Sequence, residues 1–532
     1  MRRFSAWILL AAFAAAWGCE SAPGAGSDGD SDGDTDTDTE YTGPTIPPTC
    51  EAAAEIQTSV GCEFFAVDLD NYATADPLTW AVVVSNPQES SDATVRVEDM
   101  RGTGGTLRTV PGTELALAPG ELHIYELTCE SGCPETTAHI DHTGLLPQGA
   151  FRVVSDVPVL AYQWNTYGTG LETTDASLLL PTTSLDADYI GAAWHSGPNT
   201  GDRSEITVVA TVDGTSVTFV PKVATAAGGA VPALAAGVES DPFLLDAFDI
   251  IQIEPSVEHA DLTGTLITAS APIAVFGGHS CAMVPTPEYY ACDHVEEQLL
   301  PLRAWGADTV LARYAPRDGL NEVTDPALWR VVAGADAMTV YFDPPVDGVG
   351  GSTHFDAQGD VLEFFSPIDH YAWAELDDPE DPEEPAAPFL AYQMMTGRLY
   401  VGDDSYSWGD PLMLLSPPAG QYLDRYVFNT DDKFDFDFDR VIIVRAAGVQ
   451  VEIDCLGTLP DSDFVAVGST EWEVGRFALD YLGTDVGTCV DGTHTLLADE
   501  PVGLSVVGED FANSYGYLGG VGVRSINPII IE

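Results

Sequence analysis

The chain has 532 residues, of which 84 are acidic and 19 basic, so its formal net charge is -65 at pH 7. Affinity for phosphate groups comes from Lys and Arg, and this balance therefore excludes a nucleic-acid binder that relies on a basic face. Hydrophobic residues make up 45% of the chain, which is enough to bury sizeable cores and excludes a wholly disordered protein. Cations, cationic surfaces and neutral ligands remain compatible partners.

Residues 1–18 have the organisation of a secretory signal peptide. Arg2 and Arg3 precede an apolar run at 7–17, WILLAAFAAAW, which is too short for a stable membrane span. The segment ends in AWGC at 16–19, which resembles a bacterial lipobox, in which the cysteine (here Cys19) is diacylated before cleavage. A signal peptide that is cut nearby without lipidation is the alternative.

Residues 19–49 predict a lipidated, acidic and disordered tether. The stretch SAPGAGSDGDSDGDTDTDTEYTGPTIPP at 21–48 has no basic residue and almost no large apolar group. Such a stretch cannot bury enough apolar surface to offset its ordering entropy, so it should extend and repel itself. Its Asp-Gly-Asp pattern lacks the spacing of an EF-hand loop.

The cysteines support export of the chain. If Cys19 is acylated, eight remain, and an even number in an exported chain indicates disulfides. They fall in couples that are close in sequence, which favours the pairs Cys50 with Cys62, Cys129 with Cys133, Cys281 with Cys292, and Cys455 with Cys489. Zinc is the alternative, but no couple shows Cys-x2-Cys with a matching second half.

From Cys50 onward, short alternating or β-branched runs lie between Gly, Pro, Asp and Asn residues, which predicts an all-β chain. One phrase recurs, as FRVVSDVPVLAYQWN at 151–165, TLITASAPIAVFGGHS at 265–280, PAAPFLAYQMMTG at 385–397 and HTLLADEPVGLSVVGED at 494–510. Its prolines at 158, 272, 388 and 501 are 114, 116 and 113 residues apart. Each copy predicts a strand, a two-residue turn that ends at the proline, and a second strand.

Two further phrases recur in the same order, which implies about four copies of one unit of some six strands. At about 115 residues the unit has the size of a β-sandwich. The predicted units are 50–176, 177–295, 296–408 and 409–532, and they should pack closely because no Pro/Ser linker separates them. A β-propeller is the alternative, but its blades have four strands and about 40 to 50 residues.

The segment 261–317 resembles the IgGFc-binding protein amino-terminal domain family. The matching pieces are LTGT at 262–265, PIAVF at 272–276, SCA at 280–282, CDH at 292–294, and EQL at 297–299 leading to WG at 305–306. The resemblance covers about residues 150–400. It implies an exported binding domain, which in bacteria is often regarded as adhesive. The animal protein is credited with binding the Fc part of IgG, but its von Willebrand D modules are missing here, so the resemblance implies a protein or glycan ligand more than IgG.

Two groups of side chains are candidates for a site. His279 and His294 flank the Cys281–Cys292 couple and Asp293 is adjacent, so these three could form a binding, metal or acid/base cluster; hydrogen-bonded structure is the alternative. A second group lies in FDFDFD at 434–439, where period-two alternation places the carboxylates on one face of a strand. These carboxylates, Asp435, Asp437 and Asp439, could bind calcium, a hard cation, although a half-buried strand with a solvated acidic face is the alternative.

The common hydrolase and nucleotide-binding motifs are absent from the sequence, which therefore predicts no enzyme and no cofactor apart from calcium. The sequence predicts a cell-surface adhesion protein that is held by lipid in the bacterial outer membrane and recognises an extracellular protein or glycan. Glu20 is not the Asp that enteric bacteria use at this position for inner-membrane retention. A structural envelope lipoprotein without a soluble ligand is the alternative.

Overall fold

Strands account for nearly all regular structure, which confirms the prediction of an all-β chain. The computed structural model describes residues 46–72, 79–127, 140, 142–167, 173–198, 203–379, 386–402, 408–430 and 436–531. The predicted signal peptide and lipidation site, nearly all of the tether, the Cys129–Cys133 couple and Asp435 lie outside the described residues. Residues from 43 onward belong to one structural unit.

The first group of strands follows a short α-helix, α1 (Cys50–Ile56), whose N-terminus is capped by the hydroxyl of Thr49, which accepts the N–H of Ala52. The strands of this group are β1 (Gly61–Ala66), β2 (Trp80–Ser85), β3 (Ala93–Gly102), β4 (Thr106–Thr109), β5 (Leu115–Leu117), β6 (Leu122–Glu126), β7 (Gly144–Leu146), β8 (Phe151–Asn165) and β9 (Asp175–Leu178). The second group contains β10 (Asp186–Ile190), β11 (Ser204–Ala210), β12 (Thr215–Val220), β13 (Phe243–Leu245), β14 (Ile250–Ile253), β15 (Leu266–Ala282) and β16 (Asp293–Gln298).

The third group contains β17 (Asp308–Leu311), β18 (Ala327–Ala333), β19 (Met338–Val346), β20 (Gly350–Phe355), β21 (Val361–Ser366), β22 (His370–Leu376), β23 (Phe389–Met394), the helix α2 (Arg398–Val401) and β24 (Met413–Ser416). The fourth group contains β25 (Leu423–Asn429), β26 (Phe438–Ala446), β27 (Val451–Ile453), β28 (Gly457–Thr458), β29 (Phe464–Ala466), β30 (Trp472–Tyr481), β31 (Thr493–Asp510) and β32 (Asn513–Leu518). A single 3₁₀ turn that follows a proline opens the second, third and fourth groups, at Thr182–Ser184, Leu302–Ala304 and Ala419–Gln421.

One long strand joins two half-sheets in the first, second and fourth groups. Before its proline, β8 pairs with β3 and with most of β1, and after the proline it pairs with β2 and β9. Strands β15 and β31 repeat this arrangement with the matching strands of their own groups. The long strand therefore passes from one layer of a sandwich to the other.

The predicted two-residue turn at the proline is wrong for these three groups. Strand β8 continues through Pro158, and a bulge takes the place of a turn. While β1 advances two residues, from Gly61 to Glu63, its partner positions on β8 move five, from Val159 to Val154. Proline has no N–H for a β-ladder, so it fits where the strand leaves one set of partners before joining the next.

In the third group, the acidic segment 377–388 separates the two halves of the long strand. Strand β22 pairs with β17 and β19, and β23 pairs with β18 and β24, which leaves two separate four-stranded sheets. The strand pairings of this group match those of the other three groups, but the long strand is divided into two separate strands.

The described sheets differ from the meander blades of the β-propeller alternative. Their strand orders are non-consecutive, for example β4-β3-β8-β2-β6 in the first sheet and β17-β22-β19-β20 in the third group. The groups are packed closely, because one cluster of buried apolar residues extends from Ile46 to Val523. Among the described residues, no helix combines the length and the apolar character that crossing a membrane requires.

Three of the predicted disulfides are present in the structure. Cys50 is bonded to Cys62, Cys281 to Cys292, and Cys455 to Cys489, with sequence separations of 12, 11 and 34 residues. The first ties α1 to β1, and the second joins the end of β15 to the residue before β16. Because each disulfide closes a loop within one group, it restricts the unfolded chain locally.

Removing the Cys455–Cys489 disulfide by the double change Cys455→Ala and Cys489→Ala should lower the free energy of unfolding by about 4 kcal/mol. Loop-closure entropy grows with loop length, and a loop of this size corresponds to about that value. The Cys50–Cys62 disulfide closes a shorter loop, so the double change Cys50→Ala and Cys62→Ala should lower the free energy of unfolding by less. Urea unfolding of the two oxidised variants measures both losses, and a loss below about 1 kcal/mol for the longer loop would contradict the expectation.

Candidate functional site

The last strand of each group meets the last strands of two others at one place in the protein. Strand β9 contacts β16 and β32, and β24 contacts the same two strands. The four strands therefore form a closed cycle of contacts, and all four groups meet there. We call this place the four-strand junction.

Asp175 lies at the centre of the four-strand junction and is fully buried. Its Oδ1 accepts hydrogen bonds from the N–H groups of Ala176 and Gly516, both at 3.0 Å. Its Oδ2 accepts from the N–H groups of Glu296 at 3.1 Å and Met413 at 3.2 Å. Burial raises the pKa of Asp175 well above its usual range, although the four N–H groups oppose that rise. One carboxyl group thus bonds to the backbone of all four strands.

Two further carboxyl groups on β16 are buried at the four-strand junction. Glu296 accepts hydrogen bonds from the hydroxyl of Ser177 at 3.1 Å and from Nε2 of Gln163 at 3.2 Å, and it lies 3.2 Å from Nε2 of His294. These contacts join β16 to β8 and β9. The side chain of Glu296 thus connects the same two groups of strands as its backbone N–H, which donates to Asp175.

Glu297 points towards the third group. Its Oε1 accepts a hydrogen bond from the N–H of Leu415, at 3.1 Å. Burial raises the pKa of Glu297 well above its usual range, and the neighbouring Asp175 and Glu296 raise it further, while the bond from Leu415 opposes the rise. The junction therefore holds carboxyl groups whose charged forms are disfavoured by their surroundings.

The candidate residues His279, Asp293 and His294 lie on strands β15 and β16, and all three have an exposed fraction of 0%. Nδ1 of His279 accepts the N–H of Cys281 at 2.9 Å, and Asp293 Oδ1 accepts the N–H of Thr174 at 3.0 Å. With no exposed surface, these side chains cannot contact a macromolecular ligand in this structure. A metal or acid/base role for the three residues stays a prediction.

One polar atom of each candidate residue is buried without a hydrogen-bond partner: Nε2 of His279, Oδ2 of Asp293 and Nδ1 of His294. Burial lowers the pKa of His279 to about 3, so its imidazole is neutral at physiological pH. Burial, together with the carboxylate of Asp410, raises the pKa of Asp293 well above its usual range. Burial therefore favours the neutral forms of His279 and Asp293.

The described part of the acidic run does not present the solvated acidic face of the alternative interpretation. Asp439 is fully buried in β26, where its Oδ1 accepts a hydrogen bond from the hydroxyl of Tyr515 at 2.5 Å. Asp437 lies just before the strand and is half-buried. Every residue of β26 from Phe438 to Arg445 is buried, so both faces of the strand are covered, and period-two alternation cannot expose one of them. Calcium binding by Asp435, Asp437 and Asp439 stays a prediction.

Within the described residues, two groups of side chains bring three potential metal-ligand atoms within 4.8 Å of one another. One group comprises Asp454, Cys455 and His494, but Cys455 is bonded to Cys489 and offers no thiolate. The other group comprises Asp70, His142 and Glu254. Its members are 72 and 112 residues apart in sequence, so no motif could have revealed it.

Few positive side chains are available on this protein to offset its negative charge. Most Arg and Lys side chains in the described part of the chain form an ion pair with Asp or Glu. Even the exposed Lys222 lies 2.8 Å from a carboxylate oxygen of Asp360. Among the described residues, carboxylate groups therefore far outnumber the positive charges available to pair with them.

The sequence model of the family described as "IgGFc binding protein" matches residues 175–508, which is more than half of the chain. The chain belongs to the IgGFc binding protein family. The matched range begins at Asp175 and ends within β31, so it contains three of the four strands of the four-strand junction. Membership confirms the predicted resemblance and points to an extracellular binding domain.

A curated relative in this family is the IgGFc-binding protein of Homo sapiens, which is 28% identical over 318 residues. The aligned part is 59% of this chain but 5% of the human protein. Among solved structures, the BSP domain of a biofilm associated protein aligns with a TM-score of 0.14 and 6% identity, over 86% of this chain and 96% of that chain. A TM-score this low does not indicate a shared fold.

Sequence reasoning missed the residues at the centre of the four-strand junction. Asp175 and Glu297 lie shortly before the Leu-Leu-Pro sequences at 179–181 and 299–301, which belong to one of the two further recurrent phrases. The phrase was interpreted as a repeat of strands because its apolar residues recur. Its polar residues come together only through contacts between strands more than 100 residues apart.

Proposed function

We propose that this chain is a cell-surface adhesion protein, held in the bacterial outer membrane by lipid on Cys19, whose ectodomain binds an extracellular protein with a basic surface. Family membership supports a binding role. The human relative is named for binding IgG Fc, and the property we carry over is protein binding rather than that ligand. The signal segment, the acidic tether and the disulfides support export and display.

The observation that carries the proposal is an exposed apolar edge on the second group, formed by β13 and the segment before it. Strand β13 is the outermost strand of its sheet. Leu244 on this strand is 72% exposed, and Val238 just before it is 57% exposed. An open groove of about 400 Å³, lined by Val238 and other residues of 232–243, lies along the segment before Leu244. Exposed apolar patches at sheet edges are typical sites for partner binding.

The charge of this edge suggests the chemistry of the partner. Glu239 and Asp241 line the same groove as Leu234, Val238 and Phe243. An extended segment that alternates apolar and basic residues would complement both features, by pairing its backbone with β13 and its cations with the carboxylates. The negative charge of the whole chain would steer such a partner towards the protein.

A peptide of alternating Lys and Val residues should bind the purified chain, and Leu244→Ser should weaken that binding about tenfold. Burying a leucine side chain at an interface stabilises binding by about 1.5–3 kcal/mol. Affinity should also fall several-fold when NaCl is raised from about 50 to 300 mM, because the attraction is between exposed charges. Calorimetric titration measures both effects.

Val465→Ser provides a matched control, because Val465 is 63% exposed on β29, which is also an edge strand. This change should leave binding unaltered. Equal binding of a Glu–Val peptide, or equal weakening by Val465→Ser, would refute the proposed edge. If the chain bound a glycan panel and this binding did not depend on salt, the ligand would be a neutral glycan rather than a basic protein.

The proposed anchor is tested separately by intact-mass and surface-protease analysis of the native protein in its cells. A lipid adduct on Cys19 and protease-accessible β groups are expected. A protein that carries no lipid, or is protected from external protease, would contradict surface display.

A further inference from the structure

Asp70, His142 and Glu254 come together where the first group of strands meets the second. Asp70 follows β1, His142 precedes β7, and Glu254 directly follows β14. Strands β7 and β14 pair with each other. At their end, the N–H of Thr143 donates to Oε2 of Glu254 at 3.2 Å, and the N–H of Glu254 donates to the hydroxyl of Thr143 at 3.0 Å. The backbone therefore holds the Glu254 side chain in place.

The spacing of the three side chains fits a single metal ion. One nitrogen of His142 and one oxygen from each of Asp70 and Glu254 all lie within 4.8 Å of one another. Ligands at about 2.0–2.4 Å from an ion are about 3 Å apart when adjacent and up to about 4.8 Å apart when opposite. No large rearrangement is needed for the three atoms to share one ion.

A second observation concerns the burial of the carboxylates. Asp70 and Glu254 are only 3% and 4% exposed. Oε1 of Glu254 is buried without a hydrogen bond, and its closest ion-pair contact is with Nδ1 of His142, at 3.4 Å. Burial raises the pKa of Glu254, while His142 and the guanidinium of Arg203 oppose the rise. A buried carboxylate oxygen without a donor is stabilised by a cation.

We propose that Asp70, His142 and Glu254 bind one divalent transition-metal ion of the zinc class. Imidazole nitrogen favours such ions, whereas calcium requires six to eight oxygen ligands. The side chain of His142 is 64% exposed, which leaves a route for the ion and room for water as a further ligand. A bound ion would link the loop after β1 to the end of β14, and so tie the first group to the second. This site does not depend on the proposed partner or on the β13 edge.

The test is a titration of the chelator-treated full chain with Zn²⁺ alone. We expect one tight equivalent by calorimetry and a rise in Tm on loading, because a ligand that binds only the folded state stabilises it. His142→Ala should lower the affinity at least tenfold and abolish the rise in Tm. The exposed position of His142 makes loss of the fold unexpected, and circular dichroism of the metal-free variant checks it. Glu254→Gln, which keeps an acceptor for Thr143, should also lower the affinity.

His354→Ala is the matched control. His354 also lies between two carboxylates, at 3.2 Å from Asp356 and 3.1 Å from Asp377, but its side chain is 47% exposed and those of the acids 95% and 42%. This change should leave the tight equivalent intact. Zn²⁺ binding that survives both His142→Ala and Glu254→Gln, or that is lost in His354→Ala, would overturn the proposal. Calcium binding at the same residues with higher affinity than Zn²⁺ would overturn the assigned class of ion.

Discussion

Asp175→Ala should lower the free energy of unfolding by about 4 kcal/mol or more, the largest effect that we expect from a single substitution in this chain. The change removes the acceptor for four backbone N–H groups, those of Ala176, Glu296, Met413 and Gly516. Each buried donor that is left without a partner costs about 1–3 kcal/mol. The variant no longer has to bury a carboxyl group, but this gain in stability offsets only part of the loss. Urea unfolding, followed by fluorescence and circular dichroism, measures the change.

The position of Asp175 also predicts a loss of cooperativity. Its four bonds reach β9, β16, β24 and β32, so the variant should unfold over a wider urea range and with different midpoints for the two probes. Asp156→Ala is a suitable control, because the exposed Asp156 accepts a single backbone N–H, from Thr94 at 2.7 Å. The control should cost less than about 1 kcal/mol. Equal losses for the two variants would refute a central role for Asp175.

Glu297→Gln should stabilise the protein progressively, relative to the original chain, as pH rises above the usual Glu value of 4.5. The pKa of Glu297 is raised by burial, so the folded chain keeps this proton in a pH range where the unfolded chain has lost it. The stability that depends on the proton is present at low pH and is lost as pH rises. The amide does not titrate and still accepts the N–H of Leu415. The difference between variant and original should grow by up to about 1.4 kcal/mol per pH unit.

Urea unfolding of both proteins at several pH values between 5 and 8 tests this expectation. Titration of the buried His279 contributes equally to both proteins, so it cancels in the difference. The control is Glu121→Gln, because the exposed Glu121 also accepts one backbone N–H, from Ala118 at 2.8 Å. Its difference from the original chain should stay nearly constant with pH. A constant difference for Glu297→Gln as well would show that this carboxyl group is already ionised at pH 5.

Charge and local pattern were enough to predict the class of fold and the binding family. The alternation of apolar residues and the turn residues between them depend only on positions close in sequence, and they predicted an all-β chain. The cysteine couples lie 34 residues apart or fewer, so proximity along the chain was sufficient for three pairings. The segment 261–317 indicated the family for the same reason, since its matching pieces follow one another in order within a short stretch of chain.

Patterns that depend on neighbouring strands were harder to interpret. The prolines were predicted to end turns, because a proline in a strand weakens pairing within a single sheet. Strands β8 and β31 instead change partners at Pro158 and Pro501. The missing N–H of each proline therefore falls at a break in the hydrogen-bond ladder, where no inter-strand bond is lost. The alternation at 434–439 left a solvated acidic face open as the alternative to calcium binding, but the residues of β26 from Phe438 to Arg445 are all buried, Asp439 among them. Which face of a strand meets water is decided by the strands and layers around it.

By itself, the sequence determined that this chain is an acidic, repetitive, all-β member of a binding family, because composition and short-range pattern control those properties. Only the tertiary structure decided that the carboxyl group of Asp175 bonds to four strands and that His279, Asp293 and His294 are buried. It also decided that the carboxylates of Asp70 and Glu254 lie close together. These side chains are brought together by strand pairing over long sequence separations. Such pairing depends on the packing of whole sheets, which no local pattern encodes.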